Sequence, residues 1–481
     1  MNYRMIGYLL GIILMIEAVL LLLPMLVALI YGESALPFLF TIAIILAVSL
    51  PLIIFKPKNI KIYTKDGFVC VASAWIVMSV FGALPFVFSG VIPNYIDALF
   101  ETVSGFTTTG ASIMTAIEGP SRMGILFWRS FTHWIGGMGV LVFMLALLPS
   151  TGGQAIYLMR AEVPGPTKDK LVPKMRQTAL ILYAIYFVLT LIMTAALMFC
   201  GMNIYHAFVN AFATAGTGGF SVLNNSIGGY NNPAAEWVIA IFMVIFGVNF
   251  NVYFFILIKR WREVLKNEEL RTFLLIVAAA TCVISVNIFM EMGGPIGERI
   301  RQAFFQVSTI ISTTGFSTVD FNLWPSLSKT VLIILMVTGA CAGSTAGGLK
   351  ISRILILLKT MLREIRKILR PRSVNIIKLN GETVDVRTCH AATSYFAIYV
   401  VLIAMTTLLI SIDDFGFESN LTAVLACINN IGPGFAEVGP MSNFSDFSYF
   451  SKILLTLNML IGRLEIMPVI ILLSPFAWKK H

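Results

Sequence analysis

Four short segments carry the residue types that can strip water from a cation. They read Thr107-Thr108-Thr109-Gly110-Ala111-Ser112, Gly216-Thr217-Gly218-Gly219-Phe220-Ser221, Ser312-Thr313-Thr314-Gly315-Phe316-Ser317 and Ile431-Gly432-Pro433-Gly434-Phe435-Ala436. Glycine tolerates positive φ, so successive carbonyls can be turned toward one axis. Threonine and serine hydroxyls can add an oxygen or brace the backbone. A dehydrated cation needs about six to eight oxygens, by analogy with calcium. Four strands can supply them in layers, with Gly110, Gly219, Gly315 and Gly434 aligned. No ring of carboxylates accompanies the segments, which points to a monovalent rather than a divalent cation. Ile431 and Pro433 leave the fourth segment with fewer hydroxyls, so strict four-fold coordination is not expected there.

The elements that position these segments are apolar. The chain has 481 residues, 58% hydrophobic and 12% charged, with a mean hydropathy of +0.87. That composition is expected of a polytopic membrane protein. The first apolar run, 6–31, is too long for a signal-peptide core and ends without a small-residue cleavage site, so it reads as a first span. With 37–55 it makes a helical hairpin. A unit of long helix, short helix with loop, and long helix then recurs four times. Its parts fall near 69–90, 96–112 and 124–148; 177–200, 205–221 and 235–258; 272–291, 301–317 and 329–357; 391–412, 419–436 and 451–475. The segment before each loop is shorter than the roughly 20 residues a spanning helix needs. Such a segment can enter and leave the membrane only if its loop is buried in protein or lines a water-filled cavity.

The copies share a register. Asp97-Ala98-Leu99-Phe100, His206-Ala207-Phe208-Val209 and Gln302-Ala303-Phe304-Phe305 align, and Glu101, Asn210 and Gln306 occupy one position. The expected fold is an all-α polytopic membrane protein, an N-terminal two-helix hairpin plus four pseudo-symmetric helix–pore loop–helix repeats around one central ion pore. The expected units are a hairpin at 1–66 and pore repeats at 67–150, 151–262, 263–360 and 361–481.

Charge placement orients the chain. Lys56, Lys58, Lys61 and Lys65 follow the second apolar run, and Lys168, Lys170, Lys174 and Arg176 the fourth. Further basic clusters occupy 259–271 and 350–372, and Lys479 and Lys480 end the chain. Acidic residues such as Glu33, Asp97, Glu118, Asp320 and Asp413 gather in the alternate loops. The positive-inside rule then places both termini and all basic loops in the cytoplasm. Basic clusters that alternate with spans argue against a nucleic-acid partner. Cys70, Cys200, Cys282, Cys341, Cys389 and Cys427 lack metal-ligand spacing and read as small buried residues.

Two further segments draw attention. Thr338-Gly339-Ala340-Cys341-Ala342-Gly343-Ser344-Thr345-Ala346-Gly347-Gly348 interrupts the last helix of the third repeat. Each glycine there costs up to about 1 kcal/mol of helix stability relative to alanine. The segment is either a close helix–helix contact of small residues or an unwound flap that blocks the pore below the loops. Lys350 either brings a positive charge to the pathway or marks the cytoplasmic boundary. The second is Arg463, midway along the run 451–475. A central arginine costs about 2.5–3.5 kcal/mol on insertion scales, so it should face protein or water. It is either half of an ion pair, with Glu465 or another carboxylate, or a fixed charge that limits cation occupancy. His133 and Trp134 are expected to pack, and His206 to pack or cap. There is no P-loop, His-Glu-x-x-His or nucleophile elbow, so no enzyme is expected. Voltage sensing is not expected either, for want of an arginine-rich helix.

With these residues on the page, the chain resembles the TrkH/KtrB family of bacterial potassium uptake proteins along nearly its whole length. The four loops, the Gly-Ala-Cys-Ala-Gly-Ser-Thr-Ala-Gly-Gly stretch, Asn429-Asn430-Ile431-Gly432-Pro433-Gly434, Gly462-Arg463-Leu464-Glu465 and Arg160-Ala161-Glu162-Val163-Pro164-Gly165-Pro166 carry the resemblance. The extra N-terminal hairpin is similar to the TrkH branch, and Ala346 stands where the family usually has glycine. The resemblance implies K⁺ as the transported ion at the loop residues and a gate that includes Gly339, Gly343, Ser344, Thr345, Gly347, Gly348, Lys350 and Arg463. It also implies a homodimer in the bacterial inner membrane, surrounded by membrane lipids. A cytosolic TrkA-type ring would bind NAD(H), ATP or ADP, and this chain would bind no nucleotide itself. The rival reading is the potassium-binding subunit of a P-type potassium-pumping ATPase, which shares the four-repeat plan.

Overall fold

Apolar helices order the chain, and short re-entrant helices punctuate them. The computed structural model describes residues 2–57, 64–139, 175–372 and 376–473. Lys58, Lys61, Lys168, Lys170, Lys174, the 160–166 connection, the part of the 124–148 helix beyond 139, and Lys479 and Lys480 lie outside the described residues. Tyr3–Leu20 and Leu22–Ile30 together make the first span. The joint lies one turn before Pro24, whose missing N–H leaves the carbonyl four residues back unpaired. Leu36–Ile54 returns antiparallel. A Cβ on Gly11 would sit 2.8 Å from that of Leu52, so glycine sets the closeness of the hairpin.

Four repeats follow. The first is Thr64–Gly82 with Leu84–Phe88, pore helix Tyr95–Phe106, and Met123–Gly137. The second is Met175–Phe199, pore helix Ile204–Ala215, and Pro233–Gly247 with Phe250–Leu257. The third is Glu268–Met292, pore helix Ile296–Ile311, Ser326–Thr338 and Ile351–Leu369. The fourth is Val386–Ile410, pore helix Phe417–Ile428, and Tyr449–Leu464 with Ile466–Leu473. Among the described residues, six helices are long and apolar enough to cross a membrane, or seven if one bent pair counts as a span. The pore helices, of 12, 12, 16 and 12 residues, are too short to cross. Asn94 and Asn203 cap the first two by accepting backbone N–H bonds. The first three pore helices are buried well before they reach their loops, with Ala98, Ala207 and Ala303 fully enclosed.

Two elements depart from the sequence expectation, each for its own reason. The stretch 235–258 is not one helix: Pro233–Gly247 and Phe250–Leu257 meet at 90°. The carbonyl freed at Gly247 accepts the N–H of Cys341 at 3.1 Å, and the N–H of Phe250 donates to Gly343 O at 3.0 Å. The bend and the 339–350 loop thus complete each other's backbone hydrogen bonds, as burial demands. The second departure is a small antiparallel hairpin, Lys378–Leu379 with Glu382–Thr383, just after the basic 350–372 cluster. Its turn, Asn380-Gly381, has positive φ at both residues, the requirement of a type I′ hairpin. Asn380 Oδ1 accepts the Glu268 N–H at 2.7 Å and docks the hairpin beneath the third repeat.

Glycine also sets the distance between a pore helix and the long helix that follows it. A Cβ on Gly136 would lie 1.8 Å from Phe106 O, and one on Gly462 2.0 Å from Ile428 O. Gly136→Ala and Gly462→Ala should each cost at least about 1–3 kcal/mol through overpacking. Gly297→Ala, where nothing lies within 4 Å, should be neutral or slightly stabilising. Thermal unfolding in detergent checks the contrast.

Candidate ion site

All four pore helices end in the same backbone turn. In the first, Thr108 N–H donates to Gly105 O and Thr109 N–H to Ser104 O. The matching bonds are Thr217 to Thr214 and Gly218 to Ala213, Thr313 to Ile310 and Thr314 to Thr309, and Asn430 to Cys427 and Ile431 to Ala426. This is the Schellman pattern, which needs a left-handed residue just past the helix. Thr108, Thr217 and Thr313 hold it at φ 56°, and Asn430 at φ 55°. Asparagine visits this region readily, whereas a β-branched residue there is strained by about 1–3 kcal/mol. Such strain persists only where the surroundings over-determine the backbone.

Two residues on, Gly110, Gly219, Gly315 and Gly432 take φ of 81°, 77°, 86° and 99°. A Cβ on Gly110 would lie 1.9 Å from Gly218 O, on Gly219 2.0 Å from Thr314 O, and on Gly315 2.0 Å from Ile431 O. One on Gly432 would lie 2.8 Å from Thr109 O, which closes the circle. Four backbones therefore abut in a ring that admits only hydrogen at these positions. Gly110, Gly219, Gly315 and Gly432 also line one open cavity on the far side of the ring from the 339–350 loop, and that cavity extends over Pro433.

The ring shifts the fourth loop by two residues from the alignment on Gly434. Asn429-Asn430-Ile431-Gly432 matches Thr107-Thr108-Thr109-Gly110, Gly216-Thr217-Gly218-Gly219 and Ser312-Thr313-Thr314-Gly315. Pro433 and Gly434 lie beyond the ring. Gly434 is not left-handed; its N–H donates to Val438 O at 2.7 Å. The physical reason is that asparagine at 430 does the work of threonine in the left-handed turn.

The hydroxyls brace the loops. Thr107 Oγ1 and Thr109 Oγ1 lie 2.8 Å apart, and Ser312 Oγ and Thr314 Oγ1 2.7 Å. Thr217 Oγ1 donates to Gly216 O at 2.6 Å. Asn430 Nδ2 donates to Thr109 Oγ1 and to Met459 O, each at 2.9 Å, and so joins the fourth loop to the first. Of these loop hydroxyls, Thr108 Oγ1 is buried without a hydrogen-bond partner among the described residues.

Below the ring sits the 339–350 loop. Its ends are joined by Ile351 N–H to Ala340 O at 3.0 Å, with Gly339 and Gly348 packed on each other. Gly347 N–H donates to Thr313 Oγ1 at 2.6 Å, and a Cβ on Gly347 would lie 2.2 Å from Asn429 O. The loop thus presses on the third and fourth ring segments from beneath. Ser344 Oγ donates to Cys341 O inside it, and Thr345 is fully buried. Arg463 Nη1 donates to Thr345 O at 2.6 Å, and its Nη2 to Gly136 O at 2.5 Å and Gly137 O at 2.7 Å. Glu465 pairs with Arg353 at 2.5 Å. Lys350, buried and at φ 74°, folds its Nζ back onto Ala346 O. Lys350, Arg463, Glu465 and Gly347 line one small cavity under the ring.

Behind the ring lies an ion pair that the sequence reading passed over. Arg129 Nε donates to Glu101 Oε1 at 2.6 Å, both side chains almost wholly buried. Glu101 also accepts from Ser112 Oγ and Ile113 N–H, each at 2.9 Å. Arg129 donates to Ser221 O at 2.9 Å and lies over the Phe220 ring. One pair therefore anchors the chain leaving the first loop and the chain leaving the second. The usable signal was an arginine within an apolar run, the argument already applied to Arg463. His133 packs as expected: Nδ1–H donates to Gly105 O at 2.7 Å and Nε2 accepts the Phe220 N–H at 3.3 Å, which assigns the neutral ring. His206 bonds Tyr230 at 2.6 Å.

Arg129→Leu should cost about 3–5 kcal/mol by stranding the Glu101 carboxylate. Adding Glu101→Leu should restore much of the stability but not transport, because Ile113 N–H and Ser221 O lose their partners. Thermal unfolding and flux on the same preparations read this, and full stability of Arg129→Leu alone would contradict it.

Comparison with known proteins agrees with this architecture. The family model for TrkH, described as a cation transport protein, matches residues 36–480. The chain is 35% identical to the Trk system potassium uptake protein TrkH of Escherichia coli K12, over 100% of both chains. It is 33% identical to the TrkH of Halomonas elongata, again over 100% of both. The crystal structure of the potassium transporter TrkH from Vibrio parahaemolyticus superposes with a TM-score of 0.88 at 31% identity, covering 100% of each chain. The chain belongs to the TrkH family of cation transport proteins, a multi-pass membrane transporter family and not an enzyme family.

Proposed function

We propose that this protein carries potassium into the bacterial cell across the cytoplasmic membrane. The pathway runs through a selectivity filter of backbone carbonyls from Thr107–Gly110, Gly216–Gly219, Ser312–Gly315 and Asn429–Gly432. The observation that carries the reading is the closed ring of four glycines, each against the carbonyl of the next loop. Stacked carbonyl rings replace a hydration shell without supplying formal charge, which suits a monovalent cation. The relatives' description as Trk system potassium uptake proteins supports potassium, and favours this reading over the ATPase subunit.

The 339–350 loop acts as the gate. It lies under the ring with Lys350 and Arg463 beside it, and their positive charges oppose a cation leaving the filter. Each pore repeat contributes one loop, and both termini face the cytoplasm, as the basic loops require. The protein works as a homodimer under a cytosolic TrkA-type ring that binds NAD(H), ATP or ADP. The basic stretches 259–271 and 350–390 are its docking surface.

Gly219→Ser and Gly315→Ser should lower the preference for K⁺ over Na⁺, because a Cβ penalises positive φ and strikes a neighbouring carbonyl. Gly432→Ser should do the same, whereas Gly434→Ser should leave selectivity intact. Reversal potentials in proteoliposomes measure this; wild-type selectivity in all three ring variants would sink the filter assignment. Arg463→Ala should raise K⁺ flux per folded protein, and a folded variant with unchanged or lower flux would remove its barrier role.

A further inference from the structure

Helix Ile351–Leu369 leaves the loop with a poorly capped start. Its N-cap residue is Lys350, which makes no side-chain cap bond, although the first N–H groups of a helix need acceptors. The acceptor comes from elsewhere. Glu269, near the start of Glu268–Met292, reaches across with Oε1 and takes the Ser352 N–H at 3.1 Å. The same oxygen takes the Ala342 N–H at 2.7 Å. These donors bracket the 339–350 loop, one near its beginning and one just past its end. The carboxylate is 5% exposed. It borders a cavity shared with Asn249, Lys266, Asp385 and Thr388. A bond to an ionised acceptor is roughly twice as strong as a neutral one. The positive end of the helix dipole adds to the attraction.

We infer that Glu269 is the latch of the gate: a positioning residue whose single carboxylate oxygen clasps both ends of the loop and holds it under the ring. This inference rests on the gate reading above. It assigns Glu269 no contact with the ion. Losing the clasp frees the loop's entry and the start of the following helix together, while the bonds between adjacent filter loops remain.

The test uses the full-length protein in proteoliposomes and reads Rb⁺ flux, the K⁺/Na⁺ preference and the reactivity of Cys341. Cys341 is a loop residue 1% exposed; the other cysteines are replaced, and a cationic thiol reagent is applied from the loop side. Glu269→Ala should raise flux about fivefold or more, the shift expected from losing a net hydrogen bond. Selectivity should stay at the wild-type value and Cys341 should react faster. Glu269→Gln keeps the oxygen acceptor and loses the charge, so it should fall between wild type and Glu269→Ala. In a variant lacking residues 342–347, flux should be high and Glu269→Ala should add nothing. If that deletion raises flux while Glu269→Ala behaves as wild type, the latch is wrong and the gate stands. If the deletion leaves flux unchanged, the gate reading falls and takes the latch with it. Should Glu269→Ala fail to fold, Glu269→Gln decides: wild-type flux with wild-type Cys341 reactivity overturns the proposal.

Discussion

The structure depends on four backbones meeting where no side chain fits. Gly110, Gly219, Gly315 and Gly432 each lie against the carbonyl before the next loop's glycine. Everything nearby serves that closeness. The pore helices stop short so that their ends converge, and each stops in a Schellman turn that redirects the chain. Strained threonines stay left-handed because walls of buried side chains leave no alternative. Gly136 and Gly462 let the following helices press against the ends of the first and fourth pore helices. The Arg129–Glu101 pair fixes the exits of two loops.

The same logic governs the face below the ring. A loop at membrane depth must find partners for every N–H and C=O. The 339–350 loop finds them in a neighbouring helix that breaks to provide them, in Thr313 of the ring, and in Arg463 and Glu269. These bonds are few, and several come from single side chains. A segment so held can be displaced without unfolding the helices around it. The ring, by contrast, is held mainly by bonds within the pore helices and between adjacent loops, and it meets the loop below through Gly347 N–H on Thr313 Oγ1. The ring and the loop beneath it are thus two layers, joined where Gly347 meets Thr313 and Asn429.

Much of this was legible in the sequence, for physical reasons. Hydropathy and short apolar segments revealed the re-entrant plan, because lipid forbids unpaired backbone. Thr/Gly runs marked the loops, because left-handed turns restrict residue choice. The fourth loop's register was not legible: Gly432-Pro433-Gly434 offers two glycines, and only the geometry shows that Asn430 stands in for threonine. The 90° bend at Val248-Asn249 was masked by the apolar residues on both sides of it: Gly247, Asn249 and Asn251 mark the break, but the loop that completes its hydrogen bonds lies nearly a hundred residues away. Glu269 was overlooked because a carboxylate at the start of a span looks like a boundary charge. Only the fold brings Ala342 and Ser352 to it.

The central claim is that the ring of carbonyls holds a dehydrated potassium ion. Anomalous diffraction from crystals soaked in Rb⁺ or Tl⁺ tests it most directly. The account predicts density on the axis among the carbonyls of Thr107–Gly110, Gly216–Gly219, Ser312–Gly315 and Asn429–Gly432, weakened when Na⁺ replaces K⁺ at equal strength. An empty axis beside strong density elsewhere in the membrane region would contradict it.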